Sequence, residues 1–328
     1  MMSIPYNYIA GTGGIGTGRF FILEGDATLG RSESRLARLT DYRDYCKLHI
    51  TFHYIALFLQ GIIPVYAIGR VGKDEEGIAL KAEMEQAGID TGHVTEDDSA
   101  PTMYSICGQY PNGEGFNITA GNSASNTVAP EDIDRFFAEI EPGSKGIILA
   151  LPEVPVETRI YLLKKGRENQ CLTIANVASA EVPAFKKLGG AVLTDIIALN
   201  LDEAGAFADL IEKDNALQED IIKKCETYLL SLNPDITIII TLGGDGASIL
   251  HRGRCYKRKA FRVPVVNTAG AGDCFLGTFV SALVHNTDPF SALDLAAGAS
   301  AKKVGCKDTI DFSMSLENLQ AFIREHKV

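Results

Sequence analysis

The stretch NTAGAGD, residues 267–273, decides how this chain is interpreted. The valine-rich run 263–266 precedes it and a long apolar segment follows it. This order predicts a strand, a loop of small residues and a helix that begins near Ala271. Because Gly270 and Gly272 have no side chain, backbone N–H groups in the loop can come close to a ligand. The free N–H groups and the positive dipole end at a helix start favour an anion such as phosphate.

Asp273 places a carboxylate in the first turn of the predicted helix. Such a carboxylate ordinarily stabilises the helix dipole, but beside a phosphate it would repel the anion unless it has a chemical role. Phosphoryl transfer requires in-line positioning, donors or a metal that neutralise charge, and a carboxylate that orients the attacking hydroxyl. We therefore interpret Asp273 as a candidate proton acceptor. The alternative is a small-residue turn that ends in an acid.

The composition is that of an ordinary soluble globular protein, with 46% hydrophobic and 22% charged residues. Its 328 residues allow one large α/β domain or two small ones. The net charge of −11 argues against nucleic acid as a partner, and we expect the basic run 251–259 to be a solvated hairpin. We expect no signal peptide and no membrane span. Seven cysteines without a C-x-x-C pair favour reduced thiols and a cytoplasmic location.

A glycine-rich segment near the N-terminus has the G-x-G-x-x-G spacing of a dinucleotide-binding loop, at Gly11, Gly13 and Gly16. That interpretation requires a helix to follow, and an acid after a second strand. The residues 19–24 instead resemble another strand, so we expect a glycine-rich strand with close backbone approach. A nicotinamide-dependent enzyme remains the least favoured alternative.

Four continuous apolar runs predict strands that are buried on both faces: 147–151, 171–175, 196–199 and 236–242. Their alternation with helical segments predicts a doubly wound α/β core, with a mainly parallel sheet flanked by helices. Two shorter strands, 103–109 and 116–120, predict an excursion from that core. Residues 31–60 have helical spacing with one break near Thr40, so we expect helix there.

Polar residues follow two of these strands. Asn200 precedes Glu203 by three residues, which is the spacing of a capping box, and this is the simpler interpretation. Thr241 opens the sequence TLGGDG, in which glycines suit a tight turn. Ligands of open α/β sheets lie beyond the carboxyl ends of strands. Asn200, Thr241 and Asn267 are all expected at such ends, so a shared binding site is the alternative.

The 267–273 motif resembles the Asp-Thr-x-Gly-Ala-Gly-Asp signature of the PfkB, or ribokinase-like, carbohydrate kinases, with Asn267 in place of the first Asp. Residues 69–77 are similar to the family's G-x-V-G-x-D-x-x-G segment. The resemblance implies one ribokinase-like kinase domain over residues 1–328, with a small β-sheet lid formed from parts of about 12–30 and 101–120. It implies ATP-dependent transfer of phosphate to a hydroxyl of a sugar or sugar-like molecule.

The resemblance also implies roles for single residues. Asp273 is then the catalytic base, and Gly270, Ala271 and Gly272 form the anion hole. Glu203 is expected near Mg²⁺, and Glu153 against the sugar. The residues expected to bind the nucleotide are Asn200, Thr241, Gly243, Gly246, Gly298, Ala301 and Gly305. ATP and Mg²⁺ are the implied cofactors, and a homodimer through the lid is the implied assembly.

The chain departs from the family pattern in the region expected to bind the acceptor. The family's Gly-Gly-x-x-x-Asn motif is replaced by residues 41–49, DYRDYCKLH. The charged members Asp41, Arg43, Asp44 and Lys47 are expected to form a solvated helix face, with new substrate contacts as the alternative. A nucleoside kinase, or a nucleotide-binding homologue with little kinase activity, therefore remains an alternative function. In many family members the Asp replaced here by Asn267 helps to form a monovalent-cation site.

Overall fold

The computed structural model describes residues 4–111, 115–210 and 217–326. Its strands are, in chain order, β1 Tyr8–Thr12, β2 Gly16–Leu23, β3 Ala37–Tyr45, β4 Val65–Gly72, β5 Asp90–Asp97, β6 Met103–Gln109, β7 Gly115–Thr119, β8 Gly146–Ala150, β9 Leu172–Asn176, β10 Ile196–Asn200, β11 Thr237–Thr241, β12 Ala247–His251 and β13 Arg254–Arg258. Its α-helices are α1 Lys47–Leu59, α2 Glu75–Gln86, α3 Pro130–Glu139, α4 Val156–Glu168, α5 Val182–Lys187, α6 Leu201–Phe207, α7 Gln218–Leu232, α8 Ala271–Val284, α9 Pro289–Lys303 and α10 Leu316–Glu325.

Nine strands form the large sheet, in the order β13-β12-β11-β10-β9-β8-β1-β4-β5. The pairs from β5 to β11 are parallel, whereas β12 and β13 are added antiparallel at one edge. Parallel strands need helical crossovers, which cover both faces of the sheet. The doubly wound α/β prediction is confirmed.

The hydrophobic core lies on both faces of this sheet. Along β10, Ile196 and Ala198 belong to one cluster, whereas Ile197 and Leu199 belong to another. Successive side chains of a strand point to opposite faces, so these two clusters are the two sides of the sheet. The first includes buried residues of α1, α8 and α9. The sheet thereby holds the start of α8 close to the start of α1.

Four strands form the small sheet, in the order β3-β2-β6-β7. The helical prediction for residues 31–60 is wrong in its first part, because 37–45 form strand β3 and helix α1 begins only at Lys47. The inward residues of β3 include Thr40 and Asp44, which are buried but polar. Leu39 is 55% exposed, and the pairing of β3 with β2 shifts register between Arg19 and Phe21. The period-two alternation of apolar and polar residues is therefore hidden in the sequence.

Two further expectations concern loops. The helix predicted at Ala271 is confirmed, but the run 263–266 is not a strand, and Val265 is 63% exposed. The N–H groups of Val266 and Asn267 both donate to the carbonyl of Val304 rather than to a sheet neighbour. At the N-terminus β1 leads directly into β2, so no dinucleotide-binding helix follows the glycines.

The basic run 251–259 contributes to the β12–β13 hairpin, as predicted, with Arg252 and Gly253 at its turn in the left-handed region. Within the described part of the chain, no helix is long and apolar enough to cross a membrane.

Candidate active site at the start of helix α8

The loop before α8 turns sharply at Gly270. This residue is the N-cap of α8 in the left-handed conformation, with φ of 77°. A Cβ atom here would overlap the carbonyl oxygen of Thr309, so both the turn and the close approach require glycine. Gly272 has no atom within 4 Å of where its Cβ would lie, so the first turn of α8 is open on that side. The N–H groups of a first helical turn lack intrahelical acceptors and can bind an anion.

The side chain of Asn267 anchors this loop through two hydrogen bonds. It is buried, its Oδ1 accepts from the N–H of Ala269 at 3.0 Å, and its Nδ2 donates to the carbonyl of Lys307 at 2.7 Å. Ser300 Oγ on α9 donates to the carbonyl of Ala271 at 3.1 Å. Side-chain hydrogen bonds therefore hold the loop between α9 and the segment that follows α9.

Asp273 faces the start of helix α1. Its Oδ1 lies 3.9 Å from Nζ of Lys47, and its side chain is 15% exposed. The carboxylate of Asp273 is the main cause that raises the pKa of Lys47, so the ammonium form is favoured. The predicted base thus has a cationic neighbour that a sequence comparison with the family did not indicate.

Glu153 joins the same group of charges. It has a positive φ of 75°, and its Oε2 accepts from the backbone N–H of Lys47 at 3.0 Å. A Cβ atom on Gly14 would overlap this carboxylate, so the glycine-rich segment after β1 makes room for it. Burial raises the pKa of Glu153 to about 7, with the charges of Asp273 and Asp44 as further causes and Lys47 as an opposing one.

Asp44 corrects the expectation of a solvated helix face. It is 6% exposed, and its Oδ2 accepts from the thiol of Cys107 at 3.2 Å. Burial raises its pKa to about 6, and the charge of Asp273 adds to this. Asp41 and Arg43 do lie outward, as expected, because alternate residues of a strand face opposite ways. Asp44 and Lys47 instead point into the site.

Glu203 forms the capping box with Asn200 at the start of α6. Each residue accepts from the backbone N–H of the other at 2.8 Å, and Asn176 Nδ2 donates to Glu203 Oε2 at 3.3 Å. Burial raises the pKa of Glu203 to about 6, opposed by the bond from Asn200 and by the charge of Lys47. The capping interpretation is confirmed, and the bonds from Asn176 and Asn200 both end on Oε2 of Glu203. Asn176, on the neighbouring strand, was not predicted.

Thr241 ends β11 next to Asn200 on β10, in register. The turn that follows depends on Gly246, where a Cβ would overlap the carbonyl of Arg258, and φ is 106°. Gly243 also has a positive φ, but the space around it is open. Asn200, Thr241 and Gly243 therefore share one edge of the sheet, whereas Gly246 is required by the turn itself.

Three of the residues expected to bind the nucleotide lie on and after α9. A Cβ on Gly298 would overlap Ile323 of α10, so this glycine permits close helix packing. Ala301 is half-buried and packs against the core. Gly305 follows the end of α9, and a Cβ atom on it would lie 3.4 Å from the carbonyl oxygen of Lys302. The geometry gives Gly298 a packing reason that needs no ligand.

An open helix start beside a carboxylate, at the edge of a parallel sheet where other acids converge, is the arrangement expected for a phosphotransferase on a doubly wound α/β fold. The comparisons with known proteins place the chain more narrowly. The model of the pfkB family of carbohydrate kinases matches residues 53–315, and the chain belongs to this family. It is thus a kinase that uses an alcohol group as acceptor.

Two relatives and one solved structure illustrate the similarity. The 2-dehydro-3-deoxygluconokinase of Thermoproteus tenax is 29% identical over 246 residues, 73% of this chain and 74% of that protein. The ribokinase of Staphylococcus aureus (strain COL) is 28% identical over 239 residues, 72% and 75% of the two chains. An E. coli protein assigned as ribokinase II, solved with ATP and Mg²⁺, has a TM-score of 0.75 at 16% identity, covering 97% of this chain and 99% of that one. The ribokinase-like fold is confirmed.

Proposed function

We propose that this kinase transfers the terminal phosphoryl group of ATP to a hydroxyl of a sugar or sugar-like small molecule at the start of α8. The observation that carries this proposal is the position of Asp273, in the first turn of α8 and 3.9 Å from the Lys47 ammonium. A carboxylate so placed can face a hydroxyl on one side and an anion-binding backbone on the other.

The roles follow from this geometry. Asp273 accepts the proton of the acceptor hydroxyl as its oxygen bonds to phosphorus and the bond to the ADP oxygen breaks. The backbone of Gly270, Ala271 and Gly272 binds the negative charge of the transferring group. On the other half of the site, Asn200, Thr241 and Gly243 line the edge proposed for the nucleotide, with Gly246, Gly298, Ala301 and Gly305 shaping its walls.

Mg²⁺ fits this arrangement with Glu203 as its nearest protein anchor. The described residues contain no cluster of three or more acids, histidines or cysteines arranged as a metal cage. Mg²⁺ keeps several waters and binds phosphates in such enzymes, so one carboxylate is enough to hold it. When bound, it neutralises phosphate charge, and ATP and Mg²⁺ are the cofactors that we propose.

The acceptor is recognised through Asp44 and Glu153. Carboxylates accept hydrogen bonds from hydroxyl groups, and both side chains lie close to Asp273 and Lys47. Asp44 offers the acceptor a polar contact that Gly13 and Gly14, which follow β1, do not supply. The relatives named above act on 2-dehydro-3-deoxygluconate and ribose, so keto-deoxy acids and pentoses are the first acceptors to test.

The test is an acceptor panel. The protein is incubated with Mg·ATP and single pentoses, ketohexoses, 2-dehydro-3-deoxy acids or nucleosides, and ADP is measured. We expect one sugar class to raise ADP release well above the acceptor-free rate. Preference for a nucleoside would favour the alternative acceptor, and ATP binding without any stimulated release would contradict the proposed activity.

We also propose that residues 1–328 act as one kinase domain, with the small sheet as its lid. Its exposed apolar residues include the paired Ile106 and Ile118, so we propose that lids pair in a homodimer. All seven cysteines are free, which suits a reducing cytoplasm. Sedimentation of wild-type protein and of Ile118→Asp would test the assembly, with a shift to monomer expected for the variant.

A further inference from the structure

Lys303 is a buried cation directly behind the anion-hole loop. Its relative exposure is 0%, in the last turn of α9. Nζ donates to the backbone carbonyls of Asn267, at 3.0 Å, and of Ala269. Among the described residues it forms no ion pair with a carboxylate. Burial of a charge costs free energy unless the charge is paired or solvated by dipoles. The two carbonyl dipoles are therefore what stabilises the buried ammonium of Lys303.

The two carbonyls belong to the residues that lead into Gly270. Ser300, three residues before Lys303 on α9, donates to the carbonyl of Ala271. The carbonyl of Val304, the residue after the end of α9, accepts from the N–H groups of residues 266 and 267. Residues three and four apart share a helix face. The C-terminal end of α9 therefore forms hydrogen bonds with the loop from residue 266 to the first residue of α8. Among these contacts, Lys303 supplies the only positive charge.

Asn267 does not offer a carboxylate to a metal ion at this point. Its Nδ2 donates to the carbonyl of Lys307, and its Oδ1 accepts from Ala269. The loop carbonyls that could bind a monovalent ion already accept from the Lys303 ammonium. The residues present therefore do not fit the monovalent-cation site expected from the family resemblance.

We propose that Lys303 is a positioning residue that acts as a built-in cation for the anion-hole loop, so that the loop needs no K⁺ or other monovalent ion. The inference rests on the proposed function of this loop in binding phosphate. The ammonium holds the Asn267 and Ala269 carbonyls, fixes the turn at Gly270 and thereby directs the N–H groups of the first turn of α8 toward the anion.

The experiment compares wild-type protein with Lys303→Met and with Lys302→Met as a matched control on the same helix turn. ATP affinity in the presence of Mg²⁺ and the midpoint of thermal unfolding are measured in choline, sodium, potassium and ammonium chloride at equal ionic strength. For the wild type we expect both quantities to be the same in all four salts. For Lys303→Met we expect ATP affinity in choline to fall by about tenfold or more, because charge-assisted bonds to the loop are lost, with partial recovery in potassium or ammonium chloride.

Two results would overturn the proposal. One is a wild-type unfolding midpoint or ATP affinity that rises clearly in K⁺ over choline, and the other is a Lys303→Met protein that matches Lys302→Met in every salt. If Lys303→Met does not fold, the same measurements on Lys303→Arg, together with the comparison of salts for the wild type, test the proposal. Failure of the wild type to bind ATP in any salt would contradict the proposed function, and the unfolding midpoints would still test the cation.

Discussion

The ammonium of Lys47 lies 3.9 Å from the carboxylate of Asp273 and joins the first residue of α1 to the first turn of α8. The same ammonium is a cause that lowers the pKa of Asp44, Glu153 and Glu203. It is therefore the central positive charge in the group of acids at the proposed phosphate site.

Removal of the proposed base should abolish transfer. Asp273→Ala is expected to reduce kcat by about a thousandfold, since general-base catalysis contributes roughly that much. ATP binding, measured by titration calorimetry, should change little, because the anion is bound by backbone groups. Asp202→Ala, an acid in the first turn of α6, is the control. Turnover of Asp273→Ala near the wild-type rate would exclude this residue as the base.

Loss of the central ammonium should shift the pH dependence. In Lys47→Met the opposing positive charge is gone, so the pKa values of Asp44, Glu153 and Glu203 should rise, and the acidic limb of the kcat/KM profile should move up by about one pH unit. The profile of Lys73→Met, a change at an exposed lysine, should stay in place. An unmoved acidic limb in Lys47→Met would show that its charge does not act on these acids.

The pKa of Glu153 predicts a stability effect with a definite sign. Because its folded pKa is about 7, above the ordinary 4.5, the carboxyl stabilises the fold below about pH 4.5 and this contribution is lost as the pH rises through 7. Glu153→Gln should therefore be more stable than wild type at pH 8, by up to about 3 kcal/mol, with the difference shrinking toward pH 4.5. Chemical denaturation at several pH values measures this. Glu157→Gln, at an exposed acid nearby, is the control, and an advantage that grows toward acid would contradict the sign.

Gly270 tests the geometry of the anion hole. Gly270→Ala adds a Cβ at φ of 77° that overlaps the Thr309 carbonyl, so the free energy of unfolding should fall by about 1–3 kcal/mol. Gly143 has φ of 85° with open space, so Gly143→Ala carries the strain of a positive φ without the overlap. The difference between the two variants measures the overlap. Equal decreases in the free energy of unfolding would show that the loop moves enough to remove the overlap.

Short-range patterns predicted much of the fold. Apolar runs such as 147–151 identified strands of the buried sheet, and small residues at 270–272 identified the start of α8. Asn200 and Glu203 were readable because a capping box is local. The strand 37–45 was missed because it buries the polar Thr40 and Asp44 while Leu39 is exposed, so apolar residues do not alternate along it.

The sequence by itself determined the parallel α/β core, the loop and helix that place Asp273, and the resemblance to a kinase family, since each depends on residues that are neighbours along the chain. Only the tertiary structure decided which charges share the site. Lys47 reaches Asp273 because α1 and α8 pack together on one face of the sheet, and Lys303 reaches Asn267 because α9 packs behind the loop. Burial of a lysine or an aspartate follows from such long-range packing, which composition and spacing do not encode.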